Sequence, residues 1–232
     1  MTIPETNRMY IARDVYQNWK RLVSGAEDCI TIYSPFFDRL ILSLLSNTDL
    51  NKEKIIIVTD LRPEYLLENP GQLQTIKQAF LDGISVLTIP DLHAKVLLID
   101  DRYISTGSQN FTSRGRKNKE CTTVPKESMN GTPFVETLVQ WREEATPIDE
   151  ELVDNLISQL SNRIAQHKNL IEETKIDFEI ICKKHQQAKR DLEIRRFKEL
   201  ERQSKIRFSI FKVYASIKTL SANRFSLPGS YY

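Results

Sequence analysis

Two pairs of polar residues in the middle of the chain have the types and the spacing that suit phosphate chemistry. His93 and Lys95 lie two residues apart, and Ser108 and Asn110 repeat that spacing after a short turn. Because alternate residues of a strand point to the same face, the members of each pair are predicted to project together. If the two strands are neighbours, an imidazole, an ammonium, a hydroxyl and an amide lie side by side, and all four can contact phosphate oxygens.

Two carboxylates near these pairs are predicted to have different roles. Glu120 is the candidate for orienting His93, because a carboxylate that accepts the Nδ1 proton leaves Nε2 free to attack and stabilises the positive charge that follows. Asp100 lies an odd number of residues from His93, at the end of the same strand. We therefore expect Asp100 to face away from the imidazole and to cap the hairpin or accept a local hydrogen bond.

The order of these residues resembles the HKD signature of the phospholipase D superfamily, which includes phospholipases, cardiolipin synthases and metal-independent nucleases. The matching positions are His93, Lys95, Asp100, Gly107, Ser108, Asn110, Gly115, Asn118 and Glu120. The resemblance implies a phospholipase D-like fold, and it implies catalytic roles for His93, Lys95, Ser108, Asn110, Glu120 and Asp100.

The signature occurs once in this chain. The resemblance implies a two-step reaction in which one histidine attacks phosphorus, forming a phosphohistidine, while a second histidine protonates the leaving oxygen. One His93 cannot be neutral and cationic at once, and the other two histidines, His167 and His185, have no Ser/Asn pair nearby. A homodimer through the catalytic domain, which juxtaposes two copies of His93, is therefore predicted.

No metal and no other cofactor is predicted. Metal-dependent phosphodiesterase sites need several carboxylates or histidines that converge on cations. The acidic residues close to the signature are Asp91, Asp100, Asp101 and Glu120. Two copies of Lys95 are instead expected to supply the positive charge that compensates the phosphorane.

The distribution of charge favours a polyanionic partner. Arg114, Arg116, Lys117 and Lys119 lie just past Asn110 and form either a solvated turn or a rim that tracks the phosphates of a nucleic acid. Residues 1–150 carry 17 Lys and Arg against 21 Asp and Glu, a balance of −4, and residues 151–232 carry 16 against 10, a balance of +6. The positive balance of residues 151–232 suits the binding of a polyanion or, equally, a solvated helical face.

The elements that position the signature follow from apolar periodicity. Helices are predicted over residues 10–22, 38–46 and 72–81, and strands over residues 29–33, 54–59, 85–89, 94–99 and 103–106. This alternation predicts an α/β sandwich with a mixed sheet, and we assign residues 1–146 to this catalytic domain.

A long helical arm is predicted over residues 147–204. Residues from Leu160 to Leu192 recur at spacings of four and three, which is a coiled-coil-like heptad seam weakened by polar members. Such an arm either pairs with a second chain, including a possible protein partner, or folds back as a hairpin. Residues 205–232 form a separate basic and aromatic segment whose structure the sequence does not assign.

Neither a secretory signal nor an apolar run of about 18 residues is visible, so a cytoplasmic protein without stable membrane insertion is expected. Cys29, Cys121 and Cys182 show no disulfide or metal-binding spacing and are expected to be reduced thiols.

Three functions remain open. The favoured one is a metal-independent endonuclease that cleaves DNA or RNA. The second is a phospholipase or phosphatidyltransferase that acts on lipid head groups, and the third is a non-catalytic member that only binds nucleic acid.

Overall fold

The computed structural model describes residues 14–125 and 127–224, and the chain divides into two compact units between Lys168 and Asn169. The first unit contains a six-stranded sheet with the order β5-β4-β1-β2-β3-β6. The strands are β1 (Ile30–Tyr33), β2 (Ile55–Thr59), β3 (Ser85–Thr88), β4 (Val96–Ile99), β5 (Tyr103–Thr106) and β6 (Thr146–Pro147). β1, β2 and β3 run parallel, whereas β4, β5 and β6 are antiparallel to their neighbours, so the sheet is mixed.

Successive side chains of the central strands point to opposite faces of the sheet, and both faces are buried. Ile30 and Ile32 of β1 join one apolar core, whereas Tyr33 joins the core on the other face. β2 divides in the same way, with Ile57 in the first core and Val58 in the second. The continuous apolar runs of these strands therefore suit a sheet that is covered on both sides.

Helices cover the two faces. They are α1 (Tyr16–Ser24), α2 (Leu40–Leu45), α3 (Pro63–Glu68), α4 (Gly71–Leu81), α5 (Pro133–Glu144) and the start of α6 (Glu150–Arg224). Trp19 of α1 and Ile76 of α4 are buried in the first core, and Leu138 of α5 is buried in the second. The predicted α/β sandwich with a mixed sheet is confirmed.

The sequence located the strands within two residues but missed α3, α5 and β6. α3 has six residues like α2, but it buries only Leu66 where α2 buries three apolar residues, so α3 shows no apolar helical period. α5 does carry a start signal, because the Thr132 side chain accepts a hydrogen bond from the Val135 N–H and Pro133 occupies the first turn. The helix predicted over 10–22 is observed from Tyr16 onward, and residues 10–13 lie outside the described residues.

The predicted long arm is also confirmed, as the 75-residue helix α6. It runs unbroken past residue 204, so the arm does not fold back as a hairpin, and residues 225–232 lie outside the described part of the chain. Val153, in its first turns, is fully buried in the first core, and Leu160 packs against that core. In the second unit large apolar side chains are exposed, for example Phe178 and Phe197. The division at residues 146 and 204 stays a prediction.

Candidate active site

The β4–β5 hairpin carries the signature residues. Asp100 and Asp101 form its turn with φ angles of 53° and 48°, the left-handed conformation that the central residues of a type I′ turn adopt. The Arg102 N–H closes the turn on the Ile99 carbonyl at 3.0 Å. At the opposite end, Val96 pairs with Thr106, and the His–Lys and Ser–Asn pairs lie beyond that point.

His93 and Lys95 lie just before β4 rather than within it, because the strand begins at Val96. Val96 pairs with Tyr33, the last residue of β1, and Pro35 follows shortly after with no N–H to extend the pairing. The Lys95 carbonyl nevertheless accepts a hydrogen bond from the Gly107 N–H at 3.3 Å. The two ends of the hairpin therefore stay side by side where the polar pairs begin.

Gly107 lets a third segment pack closely against the hairpin. A Cβ at this position would lie 2.2 Å from the Cys121 carbonyl oxygen, so any larger residue clashes with backbone. Gly107 forms a bridge with Thr122, and the Ser108 N–H donates to the Cys121 carbonyl at 2.9 Å. This close packing brings Glu120 next to Ser108, although the two are twelve residues apart in sequence.

Two hydrogen bonds hold the Ser108 side chain against the segment that contains Glu120 and Cys121. Its Oγ donates to Glu120 Oε2 at 2.5 Å, and the Cys121 N–H donates to the same Oγ at 3.0 Å. The hydroxyl is exposed, so its orientation is set by these two contacts and not by burial in a core.

Lys95 joins the same cluster electrostatically. Its Nζ donates to the His93 carbonyl oxygen at 2.8 Å, which turns the ammonium back toward the histidine backbone. Burial lowers the pKa of Lys95 below its usual value, and the negative charge of Glu120 acts in the opposite direction. The structure thus brings together Lys95, Ser108 and Glu120.

The His93 side chain is exposed, and its imidazole makes no hydrogen bond to any described residue. Glu120 Oε2 instead accepts the hydrogen bond from the Ser108 hydroxyl, so the orientation of His93 by Glu120 stays a prediction. Asn110 lies partly buried, with its Oδ1 inaccessible and without a hydrogen-bond partner in the described ranges. The loop after Asn110 is tight, because a Cβ at Gly115 would lie 2.5 Å from the Asn110 carbonyl oxygen.

Asp100 lies at the turn end of the hairpin, where it accepts hydrogen bonds as expected. Its carboxylate accepts hydrogen bonds from the backbone N–H groups of residues 27–29, at 2.7 Å from that of Asp28, and contacts Arg102 at 3.2 Å. Burial raises the pKa of the Asp100 carboxyl, but the hydrogen bonds from Asp28 and Cys29 outweigh it and the pKa is lowered. These contacts fix the hairpin against the start of β1.

The four cations just past Asn110 do not share one environment. Arg116 donates two hydrogen bonds to Asp14, at 2.9 and 2.8 Å, and its guanidinium lies 4.5 Å from the centre of the Tyr16 ring. The side-chain hydrogen bond to Asp14 raises the pKa of Arg116. Arg114, Lys117 and Lys119 are exposed. Arg116 therefore contributes to the fold near α1, and the basic rim as a binding surface stays a prediction.

Sequence reasoning missed a set of residues beside Asn110. Phe36 and Asp38 follow the carboxyl end of β1, and Glu68 and Asn69 lie at the end of α3, after β2; together with Asn110 they line a cleft. The sequence could have indicated these residues, because they follow predicted strands and ligands of open α/β sheets bind at the carboxyl ends of parallel strands.

Over the described ranges, His, Cys, Asp and Glu side chains form no group of three or more that could hold a metal ion. Among the helices that the structure describes, none combines the length and apolar character needed to cross a bilayer.

A mixed sheet covered by helices on both faces, with a His–Lys pair and a Ser–Asn pair at one end of a hairpin, defines a domain of the phospholipase D type. The family model described as "Cardiolipin synthase, PLD-like domain" matches residues 20–144, more than half of the 232 residues. The chain belongs to this family, and the superfamily that the signature implied is confirmed. No curated protein matches the chain.

The solved structures that resemble the chain include the following three. Nuc from Salmonella typhimurium, described as a phospholipase D family member, has 21% identity and a TM-score of 0.46, over 57% of this chain and 89% of that one. NucT from Helicobacter pylori has 15% identity and a TM-score of 0.43, over 61% and 98%. The phosphatidylserine synthase of Haemophilus influenzae Rd KW20 has 15% identity and a TM-score of 0.43, over 65% and 43%. At these identities the likeness concerns the fold alone.

Proposed function

We propose that this protein is a metal-independent phosphodiesterase that cleaves DNA or RNA in an active site shared by two subunits. The observation that carries the proposal is the cluster at the open end of the β4–β5 hairpin. There Lys95, Ser108 and Glu120 interact on the surface beside an exposed His93. The family to which the chain belongs supports phosphodiester chemistry at this cluster.

The shared site follows from the number of histidines. A phosphohistidine mechanism needs a nucleophile and a proton donor at the same phosphate. The chain has three histidines, of which His167 and His185 lie on α6. An exposed His93 suits a two-fold assembly in which the partner subunit's His93 faces it across the phosphate.

The reaction then runs in two balanced steps. In the first, Nε2 of one neutral His93 bonds to phosphorus, the bond from phosphorus to the leaving oxygen breaks, and that oxygen takes a proton from the partner subunit's His93. In the second, water bonds to phosphorus and gives a proton back to the partner subunit's His93, while the phosphorus–nitrogen bond breaks. Both histidines return to their starting states.

The remaining side chains hold and stabilise the phosphate. The Lys95 ammonium compensates the negative charge that accumulates on the phosphorane oxygens. The Asn110 amide donates hydrogen bonds to those oxygens. The single proton of the Ser108 hydroxyl is donated to Glu120 Oε2 in this structure, so Ser108 must turn this proton to a phosphate oxygen when the substrate binds. For Asp100 we propose a positioning role, since its hydrogen bonds fix the far end of the hairpin.

A nucleic acid is favoured as substrate because exposed cations lie next to the cluster. Arg114, Lys117 and Lys119 are exposed on the segment that follows Asn110, where they can follow a phosphate backbone. No acidic residue follows Glu201, whereas six basic residues do. Both surfaces suit a long polyanion better than a single head group.

The second candidate is a phosphatidyltransferase or phospholipase. It is favoured by the description of the family model, which names cardiolipin synthase. The same cluster would then attack the phosphodiester of a lipid head group. A non-catalytic nucleic-acid-binding protein is the third candidate, and it differs from the other two in requiring no role for His93.

The decisive experiment incubates the purified full-length protein with labelled plasmid, single-stranded DNA, RNA and anionic liposomes in EDTA. We expect cleavage of at least one nucleic acid and no release of lipid head groups. The His93→Ala variant is expected to lose cleavage by about 10³-fold or more, because the nucleophile is removed.

The matched control is His185→Ala, which removes an exposed imidazole from α6 and should cleave like the wild type. Cleavage by His93→Ala at the wild-type rate would contradict the site assignment. Head-group release without nucleic-acid cleavage would establish the lipid candidate instead. Binding of nucleic acid with no turnover of any substrate would establish the non-catalytic one.

A further inference from the structure

A cleft of about 300 Å³ opens beside Asn110 in the first unit. Its lining includes Phe36, Asp38, Glu68, Asn69, Asn110 and Arg114. Because Asn110 belongs both to this lining and to the HKD-like signature, whatever occupies the cleft lies next to the phosphate that the signature residues would hold.

One wall of the cleft is aromatic and rigidly supported. The Phe36 ring packs on the Tyr65 ring with centroids 4.7 Å apart, and the Arg62 guanidinium lies 4.6 Å from the centre of the Tyr65 ring. Arg62 is paired with Asp60 at 2.7 Å and with Asp91 at 2.8 Å. The wall is therefore built from several elements, and it offers a partly exposed aromatic surface.

The cleft also offers an unmatched hydrogen-bond acceptor, the Glu68 carboxylate. Asn110 Oδ1 has no donor among the described residues either, but it is inaccessible to solvent and therefore to a ligand. Glu68 is exposed at the end of α3, and its carboxylate makes no hydrogen bond within the part of the chain that the structure describes. Asp38 differs, because its two oxygens accept N–H groups of Leu40 and Ser113. A ligand that fits must bring N–H donors.

These features select among ligand classes. Phosphate groups are disfavoured inside the cleft, because Asp38 and Glu68 carry negative charge and Arg114 is the cation among its lining residues. An acyl chain is disfavoured as well, since it would cover the Glu68 carboxylate without giving it a hydrogen-bond donor. A flat heterocycle with N–H donors can stack on Phe36 and donate to Glu68.

We propose that this cleft binds a nucleobase of the substrate next to the scissile phosphate, with Phe36 as the stacking surface and the Glu68 carboxylate as the acceptor for its N–H donors. This inference rests on the proposed nuclease function and adds a preference to it. Guanine carries two adjacent donors, N1–H and N2–H, that match the two oxygens of a carboxylate, so guanine is the preferred base. A base can enter only when it is unpaired, so the substrate is single-stranded or locally open.

The test is cleavage of single-stranded oligonucleotides that are identical except at one central position, which carries guanine, adenine, cytosine, thymine or an abasic site. With the full-length wild-type protein we expect the highest kcat/KM for cleavage beside guanine and a loss of roughly tenfold at the abasic site. In Glu68→Gln the rate beside guanine should fall toward that beside adenine, while the rate at the abasic site stays unchanged.

Glu64→Gln is the matched control, because Glu64 is an exposed carboxylate on the same helix α3 and does not line the cleft. It should behave like the wild type. Phe36→Leu is a second variant, expected to lower cleavage beside all four bases and to leave the abasic site unaffected. Thermal melting of each variant checks that it is folded.

Equal kcat/KM at guanine and at the abasic site, or equal behaviour of Glu68→Gln and Glu64→Gln, would overturn the base pocket while leaving the nuclease function intact. Failure of the wild type to cleave any of the five oligonucleotides, together with head-group release from liposomes, would overturn both. The two failures are therefore distinguishable in one set of reactions.

Discussion

The Ser108 hydroxyl donates a hydrogen bond to Glu120 Oε2 at 2.5 Å, and this contact joins the two halves of the HKD-like signature. The same carboxylate acts on Lys95, whose pKa it raises against the larger, lowering effect of burial. Glu120 therefore sets the state of two neighbouring groups at once. It positions the Ser108 hydroxyl and favours the charged form of the Lys95 amine.

The first prediction concerns the alkaline limb of the pH profile. In the proposed mechanism Lys95 stabilises the phosphorane only as a cation. It loses that charge as the pH rises through a pKa that burial holds below its usual value. Replacing Glu120 by Gln removes the charge that opposes this shift, so the pKa falls further. The alkaline limb of kcat/KM should move to lower pH in Glu120→Gln. Glu127→Gln, an exposed change in the same region, should leave it in place. An unshifted limb in Glu120→Gln would contradict the electrostatic role.

The second prediction separates folding from chemistry at Asp100. Its side chain is 1% exposed and accepts backbone N–H groups of residues 27–29. Asp100→Ala should lower the free energy of unfolding at neutral pH by about 2–3 kcal/mol, because charged hydrogen bonds are lost and their donors stay unpaired. Chemical denaturation measures this value. Asp28→Ala, which removes an exposed carboxylate next to the same donors, should lower the free energy of unfolding much less.

The difference in free energy of unfolding between the wild type and Asp100→Ala depends on pH with a definite sign. The pKa of Asp100 is lowered in the folded state, so its stabilisation is present above the pKa of the unfolded chain and is lost as the pH falls through the folded value. The gap between wild type and Asp100→Ala should therefore shrink in acid. A gap that is constant from neutral pH down to strongly acidic pH would exclude this role of the carboxylate.

The third prediction tests the shared active site by mixing subunits. Wild-type and His93→Ala chains, unfolded and refolded together in equal amounts, should give roughly one quarter of the wild-type activity, since only dimers with two wild-type chains hold both histidines. Independent sites would give about one half. The measurement is kcat per total protein as the fraction of mutant increases, and a straight-line decrease would rule out the two-histidine site.

The fourth prediction concerns the packing that brings Glu120 to Ser108. Gly107→Ala places a Cβ against the Cys121 carbonyl, where 2.2 Å is available. It should lower the free energy of unfolding by about 2 kcal/mol or more and abolish cleavage in the molecules that fold. Gly71→Ala is the control, because a Cβ there meets nothing within 4 Å. Its free energy of unfolding should stay within about 0.5 kcal/mol of the wild type, and a similar result for Gly107→Ala would contradict the packing argument.

The fifth prediction concerns α6. A chain that ends at Lys168 keeps Val153 and Leu160, which contribute to the core of the first unit, and loses the basic surplus that follows. It should bind DNA more weakly and with a smaller dependence on salt concentration, because fewer counterions are released. Fluorescence anisotropy over a series of salt concentrations measures both. Equal affinity and equal salt slope in the two chains would remove the arm from the binding surface.

Much of the fold could be predicted because its signals are local. The runs 30–33 and 55–59 are apolar and continuous, as strands buried on both faces require, and they were located within one residue. α3 could not be predicted, since its six residues hold less than two helical turns and only Leu66 among them is buried, whereas the equally short α2 buries three apolar residues. The sequence left the structure of residues 205–232 unassigned because their composition changes to basic and aromatic residues, whereas α6 continues to Arg224.

The sequence alone determined which residues form the HKD-like signature, because the order and spacing of His93, Lys95, Ser108 and Asn110 are properties of the chain itself. The tertiary structure decided which of them meet. Contact between Ser108 and Glu120 depends on how closely one backbone approaches Gly107, and the cleft beside Asn110 depends on where Phe36 and Glu68 arrive from two distant elements. Such contacts arise from long-range packing, which no local pattern of residues records.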